Sequence, residues 1–276
     1  MTAPHFPVLP PIACIGGGNM GQAIIGGLLQ LTKAPPITVI DPSPQVAEHF
    51  ADQKVTVSIE AADVAQAKIV LFAVKPQVGA QIAEAYAPYL HQDQLLVSIL
   101  AGVSTTRLRE WFPQVRAVVR TMPNTPMMVA SGMVGISSDG VDEDDLQMVE
   151  AVFSPAATVM RLAEKHFDAL TAISGSGPAY LFHFAEGLHA AAQAAGLPEA
   201  TARTLVRQTI CGSARFLDLH DQQSAEFIAS RLRQQVTSPG GTTAAALDVL
   251  AQHHWNEHLQ EAVLAAAQRS QELRGS

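Results

Sequence analysis

Ile12-Ala13-Cys14-Ile15-Gly16-Gly17-Gly18-Asn19-Met20-Gly21 is the stretch that decides how this chain folds. Four small or apolar residues run into three glycines, after which Met20, Ile24, Leu28 and Leu31 recur at helical spacing. A strand that stops on glycines and turns straight into a helix aims free backbone N–H groups at one point. The helix dipole adds partial positive charge there, so the point suits a phosphate. Gly16, Gly18 and Gly21 stand at G-x-G-x-x-G spacing. The first permits a tight turn, the second lets the backbone approach a pyrophosphate, and the third lets helix and strand pack closely. A second apolar run, Ile37–Ile40, ends on Asp41, 20 residues past Gly21. A strand before, a helix after and an acid at that distance make this a dinucleotide-binding motif rather than a glycine-rich turn.

Working outward, strand and helix patterns alternate to about residue 162. The first helix covers about 18–31, with Gly26 and Gly27 marking close packing on a sheet. Asp41-Pro42-Ser43-Pro44 turns into a helix ending near Asp52, and a short strand follows at 55–58. Ile69–Val74 is continuously apolar, as a central parallel strand covered on both faces must be. It ends on Lys75-Pro76, at the carboxyl edge where open α/β sheets bind ligands. Strands at 95–100 and 117–121 end in Ala101-Gly102 and Met122–Pro126, and weaker ones cover 133–137 and 158–161. Ser104 and Asp142 read as helix N-caps. The pattern predicts a Rossmann-type, doubly wound, mostly parallel sheet over residues 1–163. From Phe167 only alanine- and leucine-rich helical segments follow, at about 167–195, 198–219, 224–233, 243–251 and 257–273. Residues 164–276 therefore read as an all-helical domain, and apolar stretches on several helix faces point to burial by a second subunit.

Composition narrows the function. With 276 residues, 15% charged and 48% apolar, the chain is long enough for two domains or one large one, well buried. Its net charge of −8 argues against nucleic acid and anionic membranes, which need a basic surface. No apolar run reaches spanning length. The first eleven residues carry four prolines and no basic residue, so they read as a short flexible tail rather than a signal peptide. Cys14 and Cys211 both read as buried thiols of a reducing, cytoplasmic setting.

Outside the glycine loop, Val236-Thr237-Ser238-Pro239-Gly240-Gly241-Thr242-Thr243 precedes a helix. Its hydroxyls and free N–H groups make an anion pocket without a cation, apt for a small carboxylate; the same residues read equally as an ordinary capped loop. Ser174-Gly175-Ser176-Gly177-Pro178 interrupts a helix, marking a kink or close backbone approach. It is not a nucleophile elbow, since Ser174 takes the first glycine's place and no strand precedes it. His254-Trp255-Asn256-Glu257-His258 has the inverted zincin order. It lacks a third ligand and reads as surface polar residues, so no metal is expected.

Taken together, these motifs resemble pyrroline-5-carboxylate reductase. The resemblance runs from Ile12 to about Leu273 and rests on Gly16–Gly21, Ala73-Val74-Lys75-Pro76-Gln77, Val119–Pro126, Asp168 with Ala172–Tyr180, Thr237–Thr243 and Arg269–Leu273. It implies reduction of the imine of Δ1-pyrroline-5-carboxylate by hydride from a nicotinamide, giving L-proline. It also implies a homodimer through the C-terminal helices, and a decamer of five dimers. On this resemblance the substrate carboxylate sits on Ser238 and the amides of Gly240, Gly241, Thr242 and Thr243, and the Thr243 hydroxyl reaches the ring nitrogen. Gly16, Gly17, Gly18, Asn19, Met20 and Gly21 hold the pyrophosphate, with Asp41, Ser43 and Glu60 near the adenosine ribose. Ala73, Val74, Lys75, Pro76, Ala101 and Asn124 line the nicotinamide half. No strong acid is needed if the imine arrives protonated, and orienting its carbon against the nicotinamide is then an effective-molarity term of about 7–11 kcal/mol. Asp41 and Glu60 lean towards NADH, whereas the family habit and Ser43 lean towards NADPH. A β-hydroxyacid dehydrogenase needs a lysine acid on the first long C-terminal helix, and residues 169–195 hold only His183 and His189 as basic groups. A nicotinamide sensor without turnover has no need of the intact 238–243 loop.

Overall fold

The computed structural model describes residues 7–137 and 139–274. They form two compact units, one of residues up to Pro178 together with those from Leu264 on, the other of Ala179–Val263.

The first unit is built on an eight-stranded sheet: β1 (Ile12–Ile15), β2 (Ile37–Ile40), β3 (Thr56–Ser58), β4 (Ile69–Phe72), β5 (Leu95–Ser98), β6 (Ala117–Pro123), β7 (Gly132–Ser137) and β8 (Ala157–Leu162). Their spatial order is β3-β2-β1-β4-β5-β6-β7-β8. All pairings are parallel except that of β6 with β7. Helices α1 (Asn19–Leu29), α2 (Pro44–Phe50), α3 (Gly79–Tyr86), α4 (Thr105–Trp111) and α5 (Glu143–Phe153) connect the strands. Because strand side chains alternate, β1, β2, β4, β5 and β6 each feed two cores. Ile12, Cys14, Val39, Leu71, Val97 and Val119 join Ile24, Leu28 and Phe153 on one face. Ala13, Ile15, Val70, Phe72, Leu96 and Val118 join Leu108 and Phe112 on the other. Strand order reverses between β1 and β4, which is where such sheets open a crevice at their carboxyl edge.

Ser104 caps α4 by accepting the Arg107 N–H at 3.1 Å. Asp142 stands at the N-cap of α5 but makes no side-chain capping bond. The segment expected to be a flexible tail lies partly outside the described residues, at 1–6; beyond them Leu9 is buried and Pro11 accepts the Lys68 N–H at 2.9 Å. The apolar side chain and the extension of the parallel pairing hold this stretch to the sheet.

After β8 comes a short helix α6 (Phe167–Leu170), then a wide turn over Thr171–Gly175. There the Ser176 N–H bonds the Thr171 carbonyl at 2.8 Å, five residues back, which is a π-type bulge. The expected interruption is thus a bulge, and Gly175 supplies the close approach, since a Cβ there would stand 2.6 Å from Met122 Cε.

The second unit is helical: α7 (Gly177–Ala194), α8 (Glu199–Asp221), α9 (Ala229–Gln235), α10 (Thr242–Gln252) and the first half of α11 (Trp255–Arg274). The helix expected from residue 224 begins five residues later. Ser224 Oγ donates to the Glu226 carbonyl and accepts the Glu226 N–H, a local turn that competes with helix. Cys211, expected to be buried, is exposed in this chain, because α8 buries only Ala202 and Val206. No described helix is long and apolar enough to cross a membrane.

Candidate functional site

The glycine loop leaves the end of β1 directly beside the end of β4, where the Ala73 N–H bonds the Ile15 carbonyl at 2.9 Å. Gly16 takes φ +98°, and a Cβ there would lie 2.6 Å from the Ala73 carbonyl oxygen. Gly17 is filled from behind by Val46, and Gly21 faces the Gly16 oxygen, 2.7 Å from where its Cβ would be. Gly18 differs: it caps α1 with φ −70° and ψ −177°, and nothing lies within 4 Å of its would-be Cβ. Three glycines are therefore demanded by the protein's own packing, while the fourth keeps open space at a helix N-terminus. The amides that open α1 therefore face open space, the setting a pyrophosphate requires.

Asp41, at the end of β2, is tied into this loop. Its Oδ2 accepts the Gly17 N–H at 2.7 Å and its Oδ1 the Ser43 N–H at 2.9 Å. Ser43 Oγ donates to Gln45 Oε1 at 2.7 Å. The Asp41 N–H bonds the Ser58 carbonyl, so β2 and β3 end together, and Glu60 follows two residues on with its N–H on Ser58 Oγ at 3.0 Å. Cys14 lies beneath, its thiol donating to the Gly16 carbonyl at 3.2 Å. Burial first and the Asp41 charge second push its pKa up to about 12, so it is a packing group and not a nucleophile.

Along the same edge Ala73, Val74, Lys75 and Pro76 follow β4, and Ala101 with Gly102 (φ +76°) follows β5. A cleft of about 830 Å³ runs from Pro76 and Gln77 past Ala101 and Gly102 to Leu273 and Arg274. The end of α11 thus walls the expected nicotinamide side. Asn124, also expected there, has its side chain engaged. Its Nδ2 donates to the carbonyl and Oγ of Ser174, each at 3.2 Å, and its Oδ1 accepts the Met133 N–H at 2.8 Å. It ties β6, β7 and the bulge together.

Arg120, within the Val119–Pro126 motif, and Asp168 carry no role that sequence alone reveals. Arg120, on β6, is 1% exposed; its Nη1 donates to Glu164 Oε1 at 2.9 Å and its guanidinium lies 4.7 Å from the Phe167 ring centroid. Its Nε and Nη2 have no hydrogen-bond partner among the described residues. Glu164 also accepts the Thr105 N–H at 2.8 Å. Burial raises the Glu164 pKa, but the Thr105 amide and Arg120 outweigh it and the net shift is downward. Buried Asp168 accepts Ser270 Oγ at 2.8 Å and pairs with Arg274 Nη2 at 2.5 Å. Only the Arg–acid content of the quoted motifs hinted at this network.

In the second unit, Ser238–Gly241 forms a turn closed by the Gly241 N–H on the Ser238 carbonyl at 3.0 Å. Gly240 takes φ +70°, and a Cβ on Gly241 would collide with Ser238 Oγ. Gly241 caps α10 without a side-chain bond, so the amides of Thr242, Thr243 and Ala244 open the helix where no preceding carbonyl serves them. The Ser238 hydroxyl, the start of α10 and the two threonines therefore converge on one N-terminus. Between Val236 and Ala246 the chain carries no charged side chain. His254, with φ +52°, joins α10 to α11. Among the described residues no group of three His, Cys, Asp or Glu is placed to hold a metal ion.

A family model of pyrroline-5-carboxylate reductase dimerisation matches residues 164–273, and one of coenzyme F420-dependent NADP oxidoreductase matches residues 11–102. The pyrroline-5-carboxylate reductase of Haemophilus influenzae is 40% identical over 266 residues, covering 95% of this chain and 97% of that one. The solved pyrroline-5-carboxylate reductase of Coxiella burnetii superposes with a TM-score of 0.85 at 34% identity, covering 95% and 97% of the two chains. The pyrroline carboxylate reductase of Plasmodium falciparum, solved with NADP bound, gives a TM-score of 0.81 at 28% identity over 96% and 98% of the two chains. With these likenesses over nearly its whole length, the chain belongs to the pyrroline-5-carboxylate reductase family.

Proposed function

We propose that this chain reduces Δ1-pyrroline-5-carboxylate to L-proline, the last step of proline formation, with a reduced nicotinamide dinucleotide, NADPH or NADH, as hydride donor. The observation that carries the reading is the uncharged 238–243 loop: Ser238 and the amides of Gly240, Gly241, Thr242 and Thr243 offer a small carboxylate its donors. The Thr243 hydroxyl, the group we assign to catalysis, orients the ring by a hydrogen bond at its nitrogen. Positive charge on a protonated imine nitrogen makes the neighbouring carbon the acceptor, and the reaction then needs no strong acid from the protein. The bound nicotinamide supplies the hydride. The chain's own part is to hold it: the Gly16–Gly21 loop on the pyrophosphate, Asp41, Ser43 and Glu60 at the adenosine ribose, and Ala73–Pro76, Ala101 and Asn124 on the nicotinamide side. The open space at Gly18 and the close seating of Gly16 on Ala73 support that fit.

Residues 1–163 then form the dinucleotide-binding domain and residues 164–276 the substrate and dimer domain. The match to a dimerisation model supports a homo-oligomer acting on a small molecule. A decamer of five dimers, a cytoplasmic location and no nucleic-acid or membrane partner complete the proposal. Initial rates of NADPH and NADH oxidation with pyrroline-5-carboxylate test it. Turnover that falls roughly 100-fold in Thr243→Ala, with cofactor binding unchanged, is the expected result. No turnover in protein that binds the cofactor overturns it.

A further inference from the structure

Asp41 is held at the end of β2 by two backbone amides, Gly17 on Oδ2 and Ser43 on Oδ1. A carboxylate offers about four lone-pair sites, so two remain for a vicinal diol. On the same carboxyl edge, Glu60 sets its N–H on Ser58 Oγ at 3.0 Å and Asp63 Oδ2 accepts the Ser58 hydroxyl at 2.5 Å. From Asp41 to Gln66 the one Lys or Arg is Lys54.

Lys54 is on the wrong edge of the sheet. It precedes β3, which runs parallel to β2, whereas Asp41 and Ser58 share the carboxyl edge. Four residues of extended strand separate Lys54 from Ser58, about 13 Å and beyond the screening length at physiological salt. Lys75 is the next cation along the carboxyl edge, at the end of β4, two strands over from β2 and about 10 Å away by strand spacing. Pro42, directly after Asp41, brings neither an N–H nor a charge, and the Ser43 hydroxyl is already given to Gln45. The hydroxyl of Tyr86 is pushed up by burial first and by the Asp41 charge second, so that charge is felt on the neighbouring helix.

We infer that this chain selects NADH over NADPH: Asp41 takes the two ribose hydroxyls, and a 2′-phosphate meets carboxylates with no cation to receive it. The inference rests on the cofactor reading above and sharpens it. Asp41 is the specificity-determining residue, and the Gly17 amide makes it part of the pyrophosphate loop.

The test is direct binding to the whole protein, without substrate. Calorimetric titration with NADH and NADPH should give a Kd ratio of roughly 10- to 100-fold in favour of NADH, narrowing as salt rises. Displacement of NADH by AMP should likewise outrun displacement by adenosine 2′,5′-bisphosphate. Asp41→Ser should weaken NADH and tighten NADPH. Because Asp41 also braces the loop, Pro42→Arg provides a second route. It leaves both Asp41 bonds in place, adds the missing cation, and should tighten NADPH about tenfold. NADPH binding as tightly as NADH in the unaltered protein overturns the preference while leaving the reductase reading intact. If the folded protein binds neither dinucleotide, the cofactor reading falls and the inference with it.

Discussion

Gly16 and Gly18 belong to one motif but answer to different forces. At Gly16 a side chain meets both a φ of +98° and the Ala73 oxygen, so Gly16→Ala should cost about 2–4 kcal/mol in urea unfolding. At Gly18 the backbone suits any residue and nothing lies within 4 Å. Gly18→Ala should therefore unfold at the same urea concentration as the unaltered protein, yet bind NADH about tenfold more weakly, because its methyl enters the space of the pyrophosphate. The pair separates a folding glycine from a binding one. The buried Arg120 obeys a third constraint. Glu164 supplies its carboxylate partner, and Arg120→Ala should cost about 3–5 kcal/mol, as breaking a buried pair does. The Glu164 pKa is lowered on folding, so its stabilisation is present above the unfolded value near 4.5 and is lost as pH falls through the native one. Urea midpoints of the unaltered protein should exceed those of Glu164→Gln at neutral pH and converge with them below about pH 4.5.

Among elements, the segment from β8 through the π-type bulge shows why local pattern reading stops short. Gly175 and Pro178 announced an interruption, but the Asn124 amide that grips Ser174 comes from 50 residues earlier. The end of α11 is a similar case. Its last turns belong to the first unit, where Ser270 and Arg274 close on Asp168 and Leu273 packs over Gly102, so that a Cβ on Gly102 would lie 3.4 Å from the Leu273 Cβ. Asp168→Ala should cost roughly 3 kcal/mol and Ser270→Ala about 1, both read from urea unfolding. Since Gly102 and Leu273 share the cleft beside Ala101, Asp168→Ala should also raise the cofactor Kd.

For the whole molecule, the second unit is unfinished as a single chain. None of the residues of α7 or α10 is fully buried, and Phe182 and Phe227 are 65% and 75% exposed. Apolar area on that scale seeks a partner surface, in keeping with the dimerisation model that matches this region. Phe182→Asp should shift light-scattering mass towards the monomer and lower the melting temperature at equal protein concentration. The exposure of Cys211 belongs to the same picture, since the alanine-rich spacing of α8 reports burial by some subunit without saying which.

Local chemistry alone determined much of this protein. Apolar runs marked the strands, glycine spacing marked the phosphate loop, and Gly240-Gly241-Thr242-Thr243 marked the start of α10, because each depends on neighbours within one turn or one strand. Tertiary structure alone decided what joins distant residues. It clamps Asp41 to Gly17, buries Arg120 against Glu164 and Phe167, engages Asn124 with the bulge, and brings the end of α11 back onto Asp168. Those choices rest on desolvation and hydrogen-bond satisfaction across tens of residues, and no spacing rule encodes them.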